Sequence, residues 1–215
     1  MRLSWLVTGL MVIACPLLRA QQVTVGAGYA LGDYKEQADF LHFSGSGPTA
    51  TVAVERGRLA FHVDALHLNL NPTQGPGPQL EAFTLDQVSI RLGYRAMSVV
   101  GLEAGYTRRS VDPSRAAQSF SAATLGVRAA YPLAPGAEVA VRTAYVASSG
   151  FSGGGSAPFG IELGLHAAYG PGSGRLRFTG DYEFQRVDRR NDQSGSRLSV
   201  PIQNSFARFG VSVRF

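Results

Sequence analysis

After residue 20 the chain repeats one pattern, in which every second side chain is apolar over short segments bounded by turn-forming residues. In VSIRLGY (88–94), for example, the even-numbered residues are apolar, whereas the odd-numbered residues are Ser, Arg and Gly. We find no helical period of useful length beyond residue 20. Alternation with a period of two is typical of β-strands that have one apolar face. The pattern therefore predicts an all-β fold.

Ten segments carry this alternation: 22–31, 49–54, 58–70, 88–94, 100–106, 125–131, 138–145, 161–169, 175–184 and 206–215. Nine of them are regular. In the segment 58–70 the apolar positions change parity between Ala65 and Leu66. Such a change is expected where one extra residue enters a strand, so we predict a β-bulge at this point.

The connections between the segments alternate strictly between short and long. The short ones lie near 55–58, 96–98, 133–137 and 170–174. The longer ones, polar or rich in glycine, span roughly 32–47, 71–81, 110–118, 149–157 and 188–202. A transmembrane barrel has tight turns on one side of the bilayer and longer loops on the other. The prediction is a closed antiparallel up-and-down transmembrane β-barrel of ten strands, with eight strands as the alternative because the region 49–70 is irregular.

The charged residues decide which face of each strand meets the lipid. An Arg on the lipid side at the bilayer midplane costs roughly 2–4 kcal/mol, so the apolar faces are expected to point outward and the polar faces into the lumen. Buried charges have to be paired, which favours a lumen filled by a charge network over a narrow diffusion channel. The predicted lumen residues are Glu55, Arg58, His62, Asp64, Arg91, Glu103, Arg128, Glu138, Arg142, Glu162, His166, Arg177, Asp181, Glu183 and Arg208.

Aromatic residues recur at the ends of the predicted strands. Tyr94, Tyr131 and Tyr169 each precede a short turn. Another set stands near the opposite end of the following strands: Tyr106, Tyr145 and Tyr182. Amphipathic rings prefer the headgroup level of a bilayer, so we interpret the two sets as aromatic girdles.

The first twenty residues are typical of a secretory signal peptide. Arg2 is followed by an apolar run from about Leu3 to Ile13, and Ala20 supplies a small residue before a cleavage point. We therefore divide the chain into a cleaved signal at 1–20 and a barrel domain at 21–215. Acylation of Cys15, as in a lipoprotein signal, is the alternative. Cleavage after Ala20 leaves 18 of the 20 basic residues against 15 acidic ones, scattered singly, so no nucleic-acid partner is expected.

The last ten residues, FARFGVSVRF, place Phe209, Val211, Val213 and Phe215 on one face. This pattern resembles the C-terminal signal of bacterial outer-membrane β-barrel proteins, which the barrel-assembly machinery reads in that family. The barrel is similar to those of the opacity-protein and outer-membrane-protein-A type, which usually have eight strands. The resemblance implies a protein of the bacterial outer membrane, in contact with lipid. We expect a monomer, and the even number of strands puts both termini in the periplasm.

Composition and motifs favour a non-enzymatic structural or surface-interaction role, and no catalytic residue, cofactor or metal is expected. One alternative is a lipid-directed hydrolase, since His42 and Ser44 resemble the His-x-Ser pair of outer-membrane lipid A deacylases, although Gly45 replaces the following Asn of that family. His62, Asp64 and His67 are the nearest approach to a metal set, but a lumen histidine with satisfied hydrogen bonds is favoured. The sequence does not show the paired acidic residues beside a histidine that would indicate a barrel protease.

Overall fold

The computed structural model describes residues 22–37, 40–75, 80–171, 174–193 and 196–215. The predicted signal peptide, with Cys15, lies outside the described residues. No helix in these ranges has the length and apolar character needed to cross a membrane. The strands are β1 (Gln22–Glu36), β2 (Leu41–Arg56), β3 (Leu59–Gln74), β4 (Phe83–Arg95), β5 (Val100–Asp112), β6 (Phe120–Ala134), β7 (Ala137–Phe151), β8 (Ser156–Tyr169), β9 (Leu176–Gln193) and β10 (Ser196–Arg214).

Each strand pairs antiparallel with its neighbours in the chain, and β1 pairs with β10, so the sheet closes into a ten-stranded up-and-down barrel. The ten-strand prediction is confirmed, and the eight-strand alternative is wrong. Closure gives every strand a partner on both sides, as a bilayer requires of backbone groups that have no water to bond. The described chain begins and ends at the same rim, where Phe215 N donates to Val23 O at 2.8 Å.

The short connections predicted near 55–58, 96–98 and 133–137 are confirmed as turns between β2 and β3, β4 and β5, and β6 and β7. The one predicted at 170–174 joins β8 to β9 and includes residues outside the described ranges. In the turn between β2 and β3, Gly57 adopts a φ of +59°, which a side chain would disfavour. We call this end of the barrel the turn end and the opposite end the far end.

Of the long loops predicted at the far end, 110–118 is largely confirmed, because β5 ends at Asp112 and β6 begins at Phe120, whereas most of 32–47 and 188–202 belongs to strands. Between β1 and β2, for example, the connection is only 37–40, although the sequence predicted a loop over 32–47. Strands of 13–19 residues are longer than the roughly 9–11 residues that span a bilayer. The barrel wall therefore continues beyond the apolar band that surrounds it.

The predicted bulge in β3 is also wrong. The pairing between β3 and β4 is continuous from Leu59 to Leu70. Phe61 and Val63 point outward, and Leu66, Leu68 and Leu70 point inward because they occupy even positions, as His62 and Asp64 do. What changes at residue 66 is the environment of the two faces, since apolar side chains face outward near the turn end and inward near the far end.

Candidate functional site: a polar cavity beneath an apolar plug

Every charged residue predicted for the lumen lies on the inner face or at the turn-end rim of the barrel. All of them line one cavity of about 460 Å³, except Glu162, which is buried directly beyond it. The cavity reaches the turn end, because Arg58, Ser98 and Pro132 of the short turns and strand ends form part of its wall. Alternation places the strand residues among them inside, since successive side chains of a strand point to opposite faces.

The deepest part of the cavity is held by Arg142, which bridges two carboxylates. Its Nε donates to Glu103 Oε2 at 2.9 Å and its Nη2 donates to Glu162 Oε2 at 2.7 Å. The other oxygen of Glu162 accepts from Gln185 Nε2 at 2.7 Å. All four residues come from different strands, so this network ties β5, β7, β8 and β9 across the lumen.

Three further pairs lie at a similar depth, and together with the Arg142 network they form what we call the inner layer of the cavity. Arg91 bonds Asp64, and Arg208 Nη2 donates to Glu183 Oε2 at 2.8 Å. His166 Nδ1 lies 2.6 Å from Asp181 Oδ1. Every arginine of the inner layer therefore has an acidic partner, as a charge removed from bulk water requires.

The outer layer of the cavity, at the turn end, is paired less completely. Arg128 Nη2 donates to Glu138 Oε1 at 3.3 Å, and Arg95 lies 3.8 Å from Glu55. Among the described residues, no carboxylate lies within salt-bridge distance of Arg58, Arg177 or Arg214. The neighbour of Arg214 is the neutral side chain of Gln22.

Above the inner layer the lumen is closed by polar groups that the sequence analysis missed. Arg109 donates to Gln87 Oε1 at 3.0 Å and to Gln185 Oε1 at 2.7 Å, and all three side chains are buried. They lie on the inner face of β4, β5 and β9, at positions that the predicted loops and strand ends obscured.

The far end of the lumen is filled by a cluster of apolar side chains, which we call the plug: Tyr34, Leu41, Phe43, Leu66, Leu68, Leu70, Phe83, Leu85, Val111, Phe120, Val146, Phe151, Val187, Ile202 and Phe206. The rings of Phe43 and Phe83 pack edge to face with centroids 4.8 Å apart, and Tyr34 packs against both. The plug was missed because many of its residues lie in stretches predicted as loops. Their alternation with polar residues, as in Leu41-His42-Phe43-Ser44, is the signal that could have revealed it.

Polar contacts cover the outer side of the plug. Tyr34 donates its hydroxyl to Glu36 Oε1 at 2.7 Å, and Arg115 donates to the same oxygen at 3.0 Å. The guanidinium of Arg115 lies over the ring of Phe43, with 4.8 Å between Cζ and the ring centroid. Burial, and secondarily the carboxylate of Glu36, raises the pKa of Tyr34 well above its usual value.

The residues predicted as girdles and as the C-terminal signal all point away from the lumen. The six girdle tyrosines are between 45% and 61% exposed on the outer surface: Tyr94, Tyr131, Tyr169, Tyr106, Tyr145 and Tyr182. On β10, the outward residues Phe209 and Val213 pair with Tyr29 and Val25 of β1, so this strand closes the barrel. The structure thus puts these residues in one outward apolar band.

The predicted His-x-Ser pair lies on the outer face of β2, not in a loop. His42 Nε2 is 3.0 Å from Asp33 Oδ1 on β1, and Ser44 is the direct cross-strand neighbour of Asp33. The three side chains stand just beyond the band, since Leu31 is the last outward apolar residue of β1. Within the described chain, no hydrogen bond joins Ser44 to His42.

The candidate metal residues do not come together. His62 and Asp64 line the cavity, whereas His67 points outward and its Nδ1 lies 2.6 Å from Asp86 Oδ1 on β4. Within the described ranges, no group of three or more His, Cys, Asp or Glu residues is arranged to hold a metal ion.

No protein-family model matches the sequence, and no curated protein matches it either. The barrel is similar to outer membrane protease OmpT from Escherichia coli, with a TM-score of 0.53 and 10% identity over 91% of this chain and 96% of that one. The chain has the fold of bacterial outer-membrane β-barrels. Neisserial surface protein A also matches, with 14% identity over 90% of this chain and 97% of that one and a TM-score of 0.41. The attachment invasion locus protein Ail of Yersinia pestis matches with 11% identity over 92% of this chain and 100% of that one, and with a TM-score of 0.42.

Proposed function

We propose that the mature chain is an integral protein of the bacterial outer membrane, with a structural or surface-interaction role. The observation that carries the proposal is the outward apolar band around a lumen of paired charges. Exposed leucine, valine and aromatic side chains on nine of the ten strands would be an aggregation hazard in water, whereas they are the expected surface of a barrel in lipid. Outer-membrane lipid is accordingly the first partner that we propose.

The turn end is proposed to face the periplasm and the far end to face outside the cell. Short turns are typical of the periplasmic side, and this orientation puts both described ends of the chain there. We further propose that residues 1–20 are removed on export, that the barrel is a monomer, and that the assembly machinery reads Phe209, Val211, Val213 and Phe215.

The plug supports a structural or surface role over a diffusion channel. A channel needs a continuous water path, but Tyr34, Phe43, Leu68 and Phe206 are almost fully buried across the far half of the lumen. The described surface beyond the band is built largely from strand extensions, such as those of β9 and β10, and from connections such as 152–155. A partner would therefore meet a rim formed largely by strands.

The membrane assignment is tested by fractionation and by gel mobility. We expect the mature protein in the outer-membrane fraction, with a faster band before boiling than after it because the closed barrel is compact. A soluble protein whose mobility is unchanged by boiling would contradict the proposal. In planar bilayers we expect no steady single-channel conductance, and stable channel openings would replace the structural role by that of a channel.

The second candidate is a lipid-directed hydrolase, which is supported by the contact between Asp33 and His42 on the outer face. An ester hydrolase needs a hydroxyl, a base and a group that orients the base. Ser44 would transfer its proton to His42 and attack the ester carbonyl, and the alcohol would leave with that proton. Water would then release the fatty acid from Ser44. This chemistry requires the His42 ring to turn towards Ser44, because Asp33 holds Nε2 here.

Variants of Ser44 test the hydrolase. If it operates, Ser44→Ala and His42→Gln both preserve acyl chains on lipid A that the unmodified protein removes, as mass spectrometry of extracted lipid would show. Ser46→Ala is the matched control, because Ser46 lies two residues along the same outer face and bonds the Tyr29 hydroxyl at 2.9 Å instead. Identical lipid A with and without the protein would eliminate this candidate.

A further inference from the structure

The inner and outer layers of the cavity differ in charge balance. In the inner layer each of the three arginines, Arg91, Arg142 and Arg208, is bonded to a carboxylate. In the outer layer five arginines face two glutamates: Arg58, Arg95, Arg128, Arg177 and Arg214 against Glu55 and Glu138. The turn end of the cavity thus carries a formal surplus of three positive charges, whereas the inner layer, with five carboxylates against three arginines, carries a formal surplus of two negative ones.

This surplus is concentrated where two strands bring like charges together. Arg177 on β9 pairs with Ser212 on β10, so Arg214 is its diagonal neighbour on the same inner face. Like charges at neighbouring positions of a sheet destabilise it. Both side chains are partly buried, and a surplus charge in a partly enclosed space is repelled more strongly than one in open water.

The two glutamates of the outer layer each have an arginine partner already. Glu138 is already 3.3 Å from Arg128, and Glu55 is 3.8 Å from Arg95. Arg58 and Arg177 are left to face the same space with donors that no acidic side chain of the described chain accepts. Arg214 gives two of its donors to the amide oxygen of Gln22, and the others face the same space. Guanidinium groups present forked donors that match the oxygens of phosphate and carboxylate groups.

We propose that the turn end of the cavity is a binding site for a small solute with two or more anionic groups, of the phosphate or carboxylate class. The solute lies between Arg58, Arg177 and Arg214, with Arg95 and Arg128 at its border. The whole cavity, of which the turn end is the outer part, has a volume of about 460 Å³, which is within the usual range for ligand pockets of about 300–1,000 Å³ and suits a small molecule. The site is independent of the role of the far end and of the residues around Ser44.

Titration calorimetry with inorganic pyrophosphate tests the site on the full mature barrel folded in nonionic micelles. We expect saturable binding, and the double variant Arg177→Gln/Arg214→Gln should weaken it at least about tenfold, because each hydrogen bond from a charged donor contributes about that factor or more. Arg108→Gln is the control, since Arg108 is exposed on the outer face and does not line the cavity. It should leave the affinity unchanged.

Further measurements separate loss of the site from loss of folding, and a solute from a lipid headgroup. The heat-dependent gel shift shows that each variant is folded, and Arg177→Lys, which keeps the charge but loses the fork, should give an intermediate affinity. A short-chain phosphatidylglycerol presents the same phosphate chemistry from a lipid headgroup. Saturable binding of this lipid alone would overturn the assignment to a solute. Absence of pyrophosphate binding, or equal loss in the Arg108 control, would overturn the site itself.

Discussion

Arg142 offers the sharpest test of the lumen network, because one guanidinium satisfies two buried carboxylates. Glu103 and Glu162 have side chains that are 8% and 3% exposed, and their bonds to Arg142 are 2.9 Å and 2.7 Å long. Replacing Arg142 by Met keeps much of the volume but leaves two negative charges facing each other without a cation. Removal of one partner from a buried pair costs about 3–5 kcal/mol. We expect the free energy of unfolding of Arg142→Met to fall by that amount.

The assay is urea unfolding in micelles, followed by far-UV circular dichroism because the only tryptophan, Trp5, lies in the predicted signal. The exposed Arg108→Gln variant should change the free energy of unfolding by less than about 0.5 kcal/mol. Adding Glu103→Gln and Glu162→Gln to Arg142→Met should recover most of the loss, because the stranded charges are then gone. A loss below about 1 kcal/mol for Arg142→Met, or no recovery in the triple variant, would refute the reasoning.

Three other outcomes follow from the structure. Phe43→Ala should lower the free energy of unfolding by about 3–5 kcal/mol, because it empties the fully buried centre of the plug, and a loss near that of a surface change would contradict the packing. The free energy of unfolding should fall as pH rises above about 10, because Tyr34 ionises there in the unfolded chain but stays neutral in the folded one. Urea unfolding at pH 8 and 11 measures this fall, and Tyr34→Phe should remove the part of it that Tyr34 causes. Deletion of Phe215, an exposed outward ring at the end of β10, should lower the amount of assembled protein in the outer-membrane fraction, and normal levels would count against a role in assembly.

The two halves of the barrel differ in how well the sequence predicts them. Near the turn end, the period of two correctly predicted strands such as 88–94 and 100–106 within β4 and β5, and it put Arg91 and Glu103 on the inner face. There most outward side chains are apolar and most inward ones are polar or small, so one rule assigns the faces. Near the far end the rule reverses, and the same period was interpreted as loops and as a bulge at residue 66.

The candidate site divides in the same way. Charges on the inner face could be assigned from parity alone, because a lipid-facing arginine is too costly. Their partners could not be assigned, since Arg142 joins Glu103, 39 positions away in the sequence, only through closure of the barrel. The contact of Asp33 with His42 likewise depends on the register between β1 and β2.

By itself, then, the sequence determined the strand period, the outward face of the strands near the turn end and the positions of most short turns, because these depend on neighbouring residues and on the alternation of charged and apolar side chains. Only the tertiary structure decided how far the wall rises beyond the band, which residues fill the plug and which arginines are left without an acid. Those features depend on which inward side chains meet across the lumen, and closure of ten strands brings together residues that the chain keeps far apart.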